Sequence, residues 1–188
     1  MRIVLNCFAL LLVICLFSIN GDAQVKTNAL YRTPADYVKG ITSYGPSAAN
    51  PGKLKLHLLA PKDYVDLSFN GNNSRIPVSQ LFGYATIEGK VFCIHGGDTY
   101  EVMNKNARLL LYRKRTLSSN REYRNDRYSY YFSTADGVIH PLTSMELKAA
   151  FPDKHDWADL LDTNFKHDNE LMAYDSYHHM YKLEWLLK

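Results

Sequence analysis

Between Leu81 and Arg113 the chain reverses direction three times, at Glu88-Gly89, Gly96-Gly97-Asp98 and Asn104-Lys105-Asn106. These tips separate short runs at Leu81 to Ile87, Lys90 to His95, Thr99 to Met103 and Ala107 to Arg113. A connection of two or three residues joins only adjacent antiparallel strands, because a parallel crossover needs about a dozen residues or more. The stretch therefore reads as a β-meander. Upstream, Leu54, Leu56 and Leu58 alternate with Lys55 and His57, and Val65, Leu67 and Phe69 with Asp66 and Ser68, the period of a half-buried strand. Tyr128 to Ser133 adds a further run. The expectation is an antiparallel sheet of six or seven strands over residues 53–140, curled into a partly barrel-like form.

After Pro141 the period lengthens. Thr143 with Glu146 three residues on has the form of a capping box, starting a helix that Phe151-Pro152 ends. A second helix from Lys154 to Phe165 places Trp157, Leu160, Leu161 and Phe165 on one face and Asp156, Asp159 and Asp162 on the other. A third is expected from Asn169 to Leu187, N-capped by Asp168, with two apolar stripes. Leu171, Tyr174, Tyr177, His178, Tyr181 and Trp185 form one stripe, and Met172, Met180, Leu183 and Leu187 the other. The whole is an α+β fold, one domain over 53–188 with its sheet at 53–140 and three helices within 143–187. Residues 24–52 are the least determined part, with Thr33-Pro34 as a helix start and Asn50-Pro51-Gly52 as a turn.

Residues 1–23 have the form of a secretory signal peptide. Arg2 precedes an apolar run from Ile3 to Phe17, and Gly21-Asp22-Ala23 puts small residues at the −3 and −1 positions of a cleavage site before Gln24. The run is too short for a membrane span of roughly 20 apolar residues, so no transmembrane segment is expected after cleavage. The mature chain would keep Cys93 alone of three cysteines, which leaves no intramolecular disulfide. At 46% hydrophobic and 22% charged residues the remainder can build a core.

Several separated segments, Leu81-Phe82-Gly83-Tyr84, Leu110-Leu111-Tyr112, Tyr130-Tyr131-Phe132-Ser133, Pro141-Leu142-Thr143, Leu147 to Pro152, and Tyr174-Asp175 with His178 and Tyr181-Lys182-Leu183, carry a resemblance. Together they resemble a group of small exported proteins of Bacteroidetes-type bacteria. The resemblance runs from about Ile76 to the carboxyl terminus and implies a cell-envelope location. It implies no activity, so no catalytic residue is carried over.

Charge divides the chain. Residues 24–143 hold 16 Lys and Arg against 9 Asp and Glu, and residues 144–188 hold 5 against 9. The positive excess concentrates between Arg113 and Arg127, where Arg113, Arg115, Arg121, Arg124 and Arg127 interleave with tyrosines including Tyr128. In an exported protein, arginine and tyrosine in this pattern suit an anionic glycan or lipid headgroup rather than nucleic acid, with arginine making paired hydrogen bonds and tyrosine stacking. The plainer reading is a solvated loop between two strands. An envelope protein docked on the last helix is the other expected partner.

Three further groups have residue types that could carry chemistry. Asp175 and His179, four apart on the expected third helix, could share a metal ion or act as an oriented base with His178 beside them, but two ligands are too few for a closed zinc site. Cys93 and His95 share a strand face about 7 Å apart, which favours a buried thiol and a strand-end histidine over a nucleophile pair. His95-Gly96-Gly97 reads as a hairpin turn, since no G-x-S-x-G elbow accompanies it. The row Asp153, Asp156, Asp159 and Asp162 has the spacing of a solvated helix face and lacks a calcium-loop pattern. No P-loop or dinucleotide fingerprint is present, and no cofactor is expected. The sequence thus points to an exported, non-catalytic binding protein, with a small metal-dependent or hydrolytic enzyme built on the Asp/His cluster as the alternative.

Overall fold

The computed structural model describes residues 28–44, 53–57, 62–69, 71–116 and 127–187. The proposed signal segment, the Asn50-Pro51-Gly52 turn, Arg121 and Arg124 lie outside them. The fold is α+β and mostly antiparallel, and its principal sheet is open rather than closed into a barrel.

That sheet has seven strands in the order β1-β5-β6-β7-β8-β9-β10. Five come from the expected meander: β5 (Gly83–Ala85), β6 (Val91–His95), β7 (Asp98–Val102), β8 (Leu110–Thr116) and β9 (Arg127–Ser133). The short β10 (His140–Pro141) lies against β9. At the other edge, β1 (Ala29–Tyr31) pairs with β5, with Leu30 opposite Tyr84. The amino-terminal stretch thus supplies a fully buried strand. Next comes helix α1 (Pro34–Lys39), started by Thr33 and Asp36 capping each other's backbone N–H, with Pro34 in the first turn and Gly40 at φ +72 ending it.

The upstream strands do not join this sheet. β2 (Lys53–Lys55), β3 (Tyr64–Phe69) and β4 (Asn72–Pro77) form a separate three-stranded sheet. β4 has no apolar alternation and among its residues only Ile76 is buried, so period alone does not reveal it. Its sign is the turn instead: Phe69 pairs with Asn72, and the two-residue connection includes Gly71 at φ +78.

Residues facing each other across an antiparallel ladder share a sheet face. One face of the large sheet carries Ala85, Cys93, Tyr100, Val102 and Tyr112, and packs with Tyr37 and Val38 of α1. The opposite face is covered in two places. Over β1, β5 and β6, Leu30, Tyr84, Phe92 and Ile94 pack with Val65, Ile76 and Leu67 of the small sheet. Over β8 and β9, Leu111 and Phe132 pack with a carboxy-terminal cap that includes Leu147, Trp157, Leu161, Phe165, Leu171 and Leu183.

The first two cap helices match expectation, as α2 (Ser144–Ala150) and α3 (His155–Asn164). Thr143 Oγ1 accepts from Glu146 N, one half of the expected capping box. The Glu146 carboxylate approaches His140 at 3.5 Å. Trp157, Leu161 and Phe165 are buried, whereas Leu160 is exposed. Asp162 pairs with Lys148 across the two helices.

The third helix of 169–187 does not exist. A 3-10 turn at Asp168–Glu170 leads into a hairpin, β11 (Tyr174–Asp175) with β12 (Met180–Tyr181), and only α4 (Lys182–Leu186) is helical. Asp168 does not cap it; its Oδ1 accepts from Ser144 N, at the start of α2. The reason for the difference is local. Asp175 Oδ1 accepts from the backbone N–H groups of both Tyr177 and His178, which draws the chain into a turn, and His179 adopts φ +53.

Candidate functional site

Between the two covers, their shared face carries a strip of partly exposed side chains, with Thr99 and Glu101 on β7, Arg113 and Arg115 on β8, and Tyr128 and Tyr130 on β9. At one side of this strip a cleft of about 740 Å³ separates the small sheet from the large one. Its walls are Leu56, Val65, Val78, Leu81, Tyr84 and Ile94, and His57, Lys62, Asp63, Ser79, His95 and Thr99 add polar groups. A second cavity of about 710 Å³ shares Leu56, His57 and Tyr84 with it and extends to Glu88 and Lys90 at the β5–β6 turn.

One network builds the small-sheet wall. His57 follows β2 at φ +50, a left-handed conformation rare for a residue with a side chain. Its Nε2 lies 2.7 Å from Asp66 Oδ2 on β3, and Asp66 Oδ1 accepts from Arg75 Nε of β4 at 3.3 Å. The Tyr64 ring meets the His57 ring edge-on at 5.6 Å and lies 4.5 Å from the Arg75 guanidinium, while Lys62 Nζ donates to the Tyr64 hydroxyl. The hydrogen bond to His57 and then that from Arg75 hold the Asp66 carboxyl below its ordinary range. Strained conformations persist where neighbours over-determine them, and His57 is so held, with only 7% of its side chain exposed.

The basic residues singled out in the sequence have different fates. Arg113 Nε and Nη2 donate to Glu101 Oε2 and Oε1 at 2.8 and 2.9 Å, a paired interaction that raises the guanidinium above the usual arginine range. The same guanidinium lies 4.8 Å from the Tyr128 ring centre, and its paired hydrogen bonds go to a carboxylate of the protein's own. Lys114 turns to the opposite face and pairs with Asp98. Arg115 is exposed opposite Tyr128, and Arg127 begins β9 opposite Thr116.

Asp175 and His179 are not brought together as an i, i+4 helical pair. Asp175 Oδ2 instead contacts His178 Nδ1 at 2.6 Å, which holds the Asp175 carboxyl below its ordinary range. His178 stacks on Trp185 at 5.6 Å, and Tyr177 meets His178 edge-on at 4.9 Å. Tyr174 meets Tyr181 edge-on at 5.4 Å. Tyr174, Tyr177 and Trp185 are exposed. Among the described residues no three His, Cys, Asp or Glu side chains are grouped for a metal ion. Cys93 is buried and burial pushes its thiol up to about 12, while His95 is exposed at the strand end. Gly96 and Gly97, both at positive φ, form the hairpin turn between them and β7.

Sequence reasoning missed His57, Asp66 and Arg75 as a group, since the residues lie on three strands and only the pairing of β2, β3 and β4 unites them. No family model, curated protein or solved structure matches the chain.

Proposed function

We propose that this is an exported, non-catalytic binding protein of the bacterial cell envelope, holding its ligand in the cleft between its two sheets. Export rests on Arg2, the apolar run from Ile3 to Phe17 and the small residues Gly21 and Ala23. The observation that carries the binding reading is the cleft itself. Its volume of about 740 Å³ falls in the range of small-molecule sites, and its apolar walls enclose a few polar groups. Lys62, Asp63, Ser79, His95 and Thr99 support a ligand with an apolar body and a polar end. Among the described ionisable groups, the Cys93 thiol is buried and protonated, His57 and Asp66 tie strands together, and Asp175 orders a turn.

The test uses 1-anilinonaphthalene-8-sulfonate, an anion with an apolar body, titrated into the folded protein. Saturable fluorescence with a raised thermal midpoint is expected, since a ligand of the native state stabilises it by mass action. Val78→Trp, which fills the cleft from the 3-10 turn at Val78–Gln80, should weaken both responses about tenfold. Undiminished binding to a folded Val78→Trp protein, or no saturable binding, would overturn the reading.

A further inference from the structure

The cleft and the cavity beside it follow one strand. Phe92 and Ile94 stand on the same face of β6, since side chains alternate along a strand. Phe92, with Ile87 and Lys90 at the β5–β6 turn, lines the cavity of about 710 Å³. Ile94, with His95 and Gly96 at the β6–β7 turn, lines the cleft of about 740 Å³. The two spaces thus succeed each other from one end of the strand to the other, a distance of about 17 Å at about 3.3 Å per residue from Lys90 to His95. Leu56, His57 and Tyr84 border both and form the waist between them. This waist is held in place: the buried Tyr84 stacks on Phe92 at 5.4 Å, and His57 is tied to Asp66. A site built in advance forfeits little conformational entropy when it is filled.

We infer that the two cavities form one elongated site whose ligand is a single unbranched alkyl chain with a polar head, an inference that rests on the reading of the cleft as a ligand site. Polarity is graded along the passage. Leu54, Leu56, Val65, Tyr84, Phe92 and Ile94 line its middle and belong to one apolar cluster between the sheets. Charged and hydroxyl groups stand at the ends, Lys62, Asp63 and Ser79 at one and Glu88 and Lys90 at the other. At the waist, His57 Nε2 is already engaged by Asp66. A peptide or glycan threaded through would bring polar groups to this point with every residue, and burying them unpaired is costly. An alkyl chain brings none. With C–C bonds of about 1.5 Å at tetrahedral angles, about a dozen carbons span the passage. The head stays in the cleft, and the tail passes the waist toward Ile87.

Calorimetric titration of the folded protein with straight-chain alkanoates, from octanoate to hexadecanoate below their micelle concentrations, tests this. Affinity should rise about fourfold with each added methylene up to dodecanoate and level off by hexadecanoate, whose chain is longer than the passage. Leu54→Trp fills the cavity beyond the waist and leaves the cleft free, so dodecanoate should lose at least about tenfold in affinity while octanoate keeps its own. Ile87→Trp makes the same test at an exposed position, where the fold tolerates the change, as circular dichroism checks. Val78→Trp, in the cleft, should weaken every chain length. The inference is overturned if affinity does not depend on chain length, if it keeps rising through hexadecanoate, or if the gain with length survives in both folded variants beyond the waist. In those cases saturable binding of the anilinonaphthalene probe leaves the cleft reading standing, whereas loss of probe and alkanoate binding together overturns both.

Discussion

A Cβ built on Gly83 falls onto the carbonyl oxygen of Phe92 on the adjacent strand and 3.0 Å from Cys93 Cα, so β5 and β6 approach as closely as they do because residue 83 lacks a side chain. Gly83→Ala should destabilise the protein by about 1–3 kcal/mol, seen as a lower urea midpoint with an unchanged slope. A glycine in the run Leu81 to Ile87 is visible in the sequence, but its reason sits on another strand. Asp66 is a second residue whose weight comes from its neighbours. Its carboxyl is depressed below 3.8 by His57 and then Arg75. A depressed carboxyl stabilises the fold above its unfolded value, and that stability fades as pH falls through the folded value. The stability gap between wild type and Asp66→Asn should therefore be widest at neutral pH and close below about pH 4, as measured by urea unfolding across pH. A gap that does not narrow on acidification would show that folding does not depress the Asp66 carboxyl.

At the scale of elements, hairpins were legible where the turn itself carries the information. Gly96 and Gly97 can both take positive φ, and β6 and β7 pair around them from His95 and Asp98. Helix starts were legible for the same local reason at Thr33 and Thr143. The carboxy-terminal hairpin was hidden because apolar spacing over residues 171–187 satisfies a helical period, while one side chain, Asp175, decides for a turn. Between β8 and β9 the ladder contains a buried hydrogen bond, Tyr112 to Ser133 at 2.8 Å. Removing the Ser133 hydroxyl alone should cost about 1–3 kcal/mol, because the Tyr112 hydroxyl is then buried without this partner. Ser133→Ala combined with Tyr112→Phe should cost less than Ser133→Ala alone, a comparison that a double-mutant cycle in urea makes directly.

For the whole molecule, the two covers differ in how much they bury. The carboxy-terminal cap shares a core that includes Leu111, Phe132, Leu147, Trp157, Leu161 and Leu183, whereas the small sheet contributes mainly Val65 and Ile76 as fully buried residues. Local opening free energy follows buried apolar contact, so amide exchange in β3 and β4 should occur through a lower-energy opening than in β8 and β9. Native-state hydrogen exchange in rising urea measures this, and equal opening energies for the four strands would contradict it. The strand runs of the meander, its hairpin tips, two helix starts and the division of charge were determined by the sequence alone, since each depends on turn conformation, side-chain period or composition within a few residues. The division into two sheets, the pairing of Leu30 with Tyr84 and the engagement of Arg113 by Glu101 were decided only by tertiary structure. Each of these depends on which distant surfaces meet, and a period of two states that a strand has a buried face without stating what buries it.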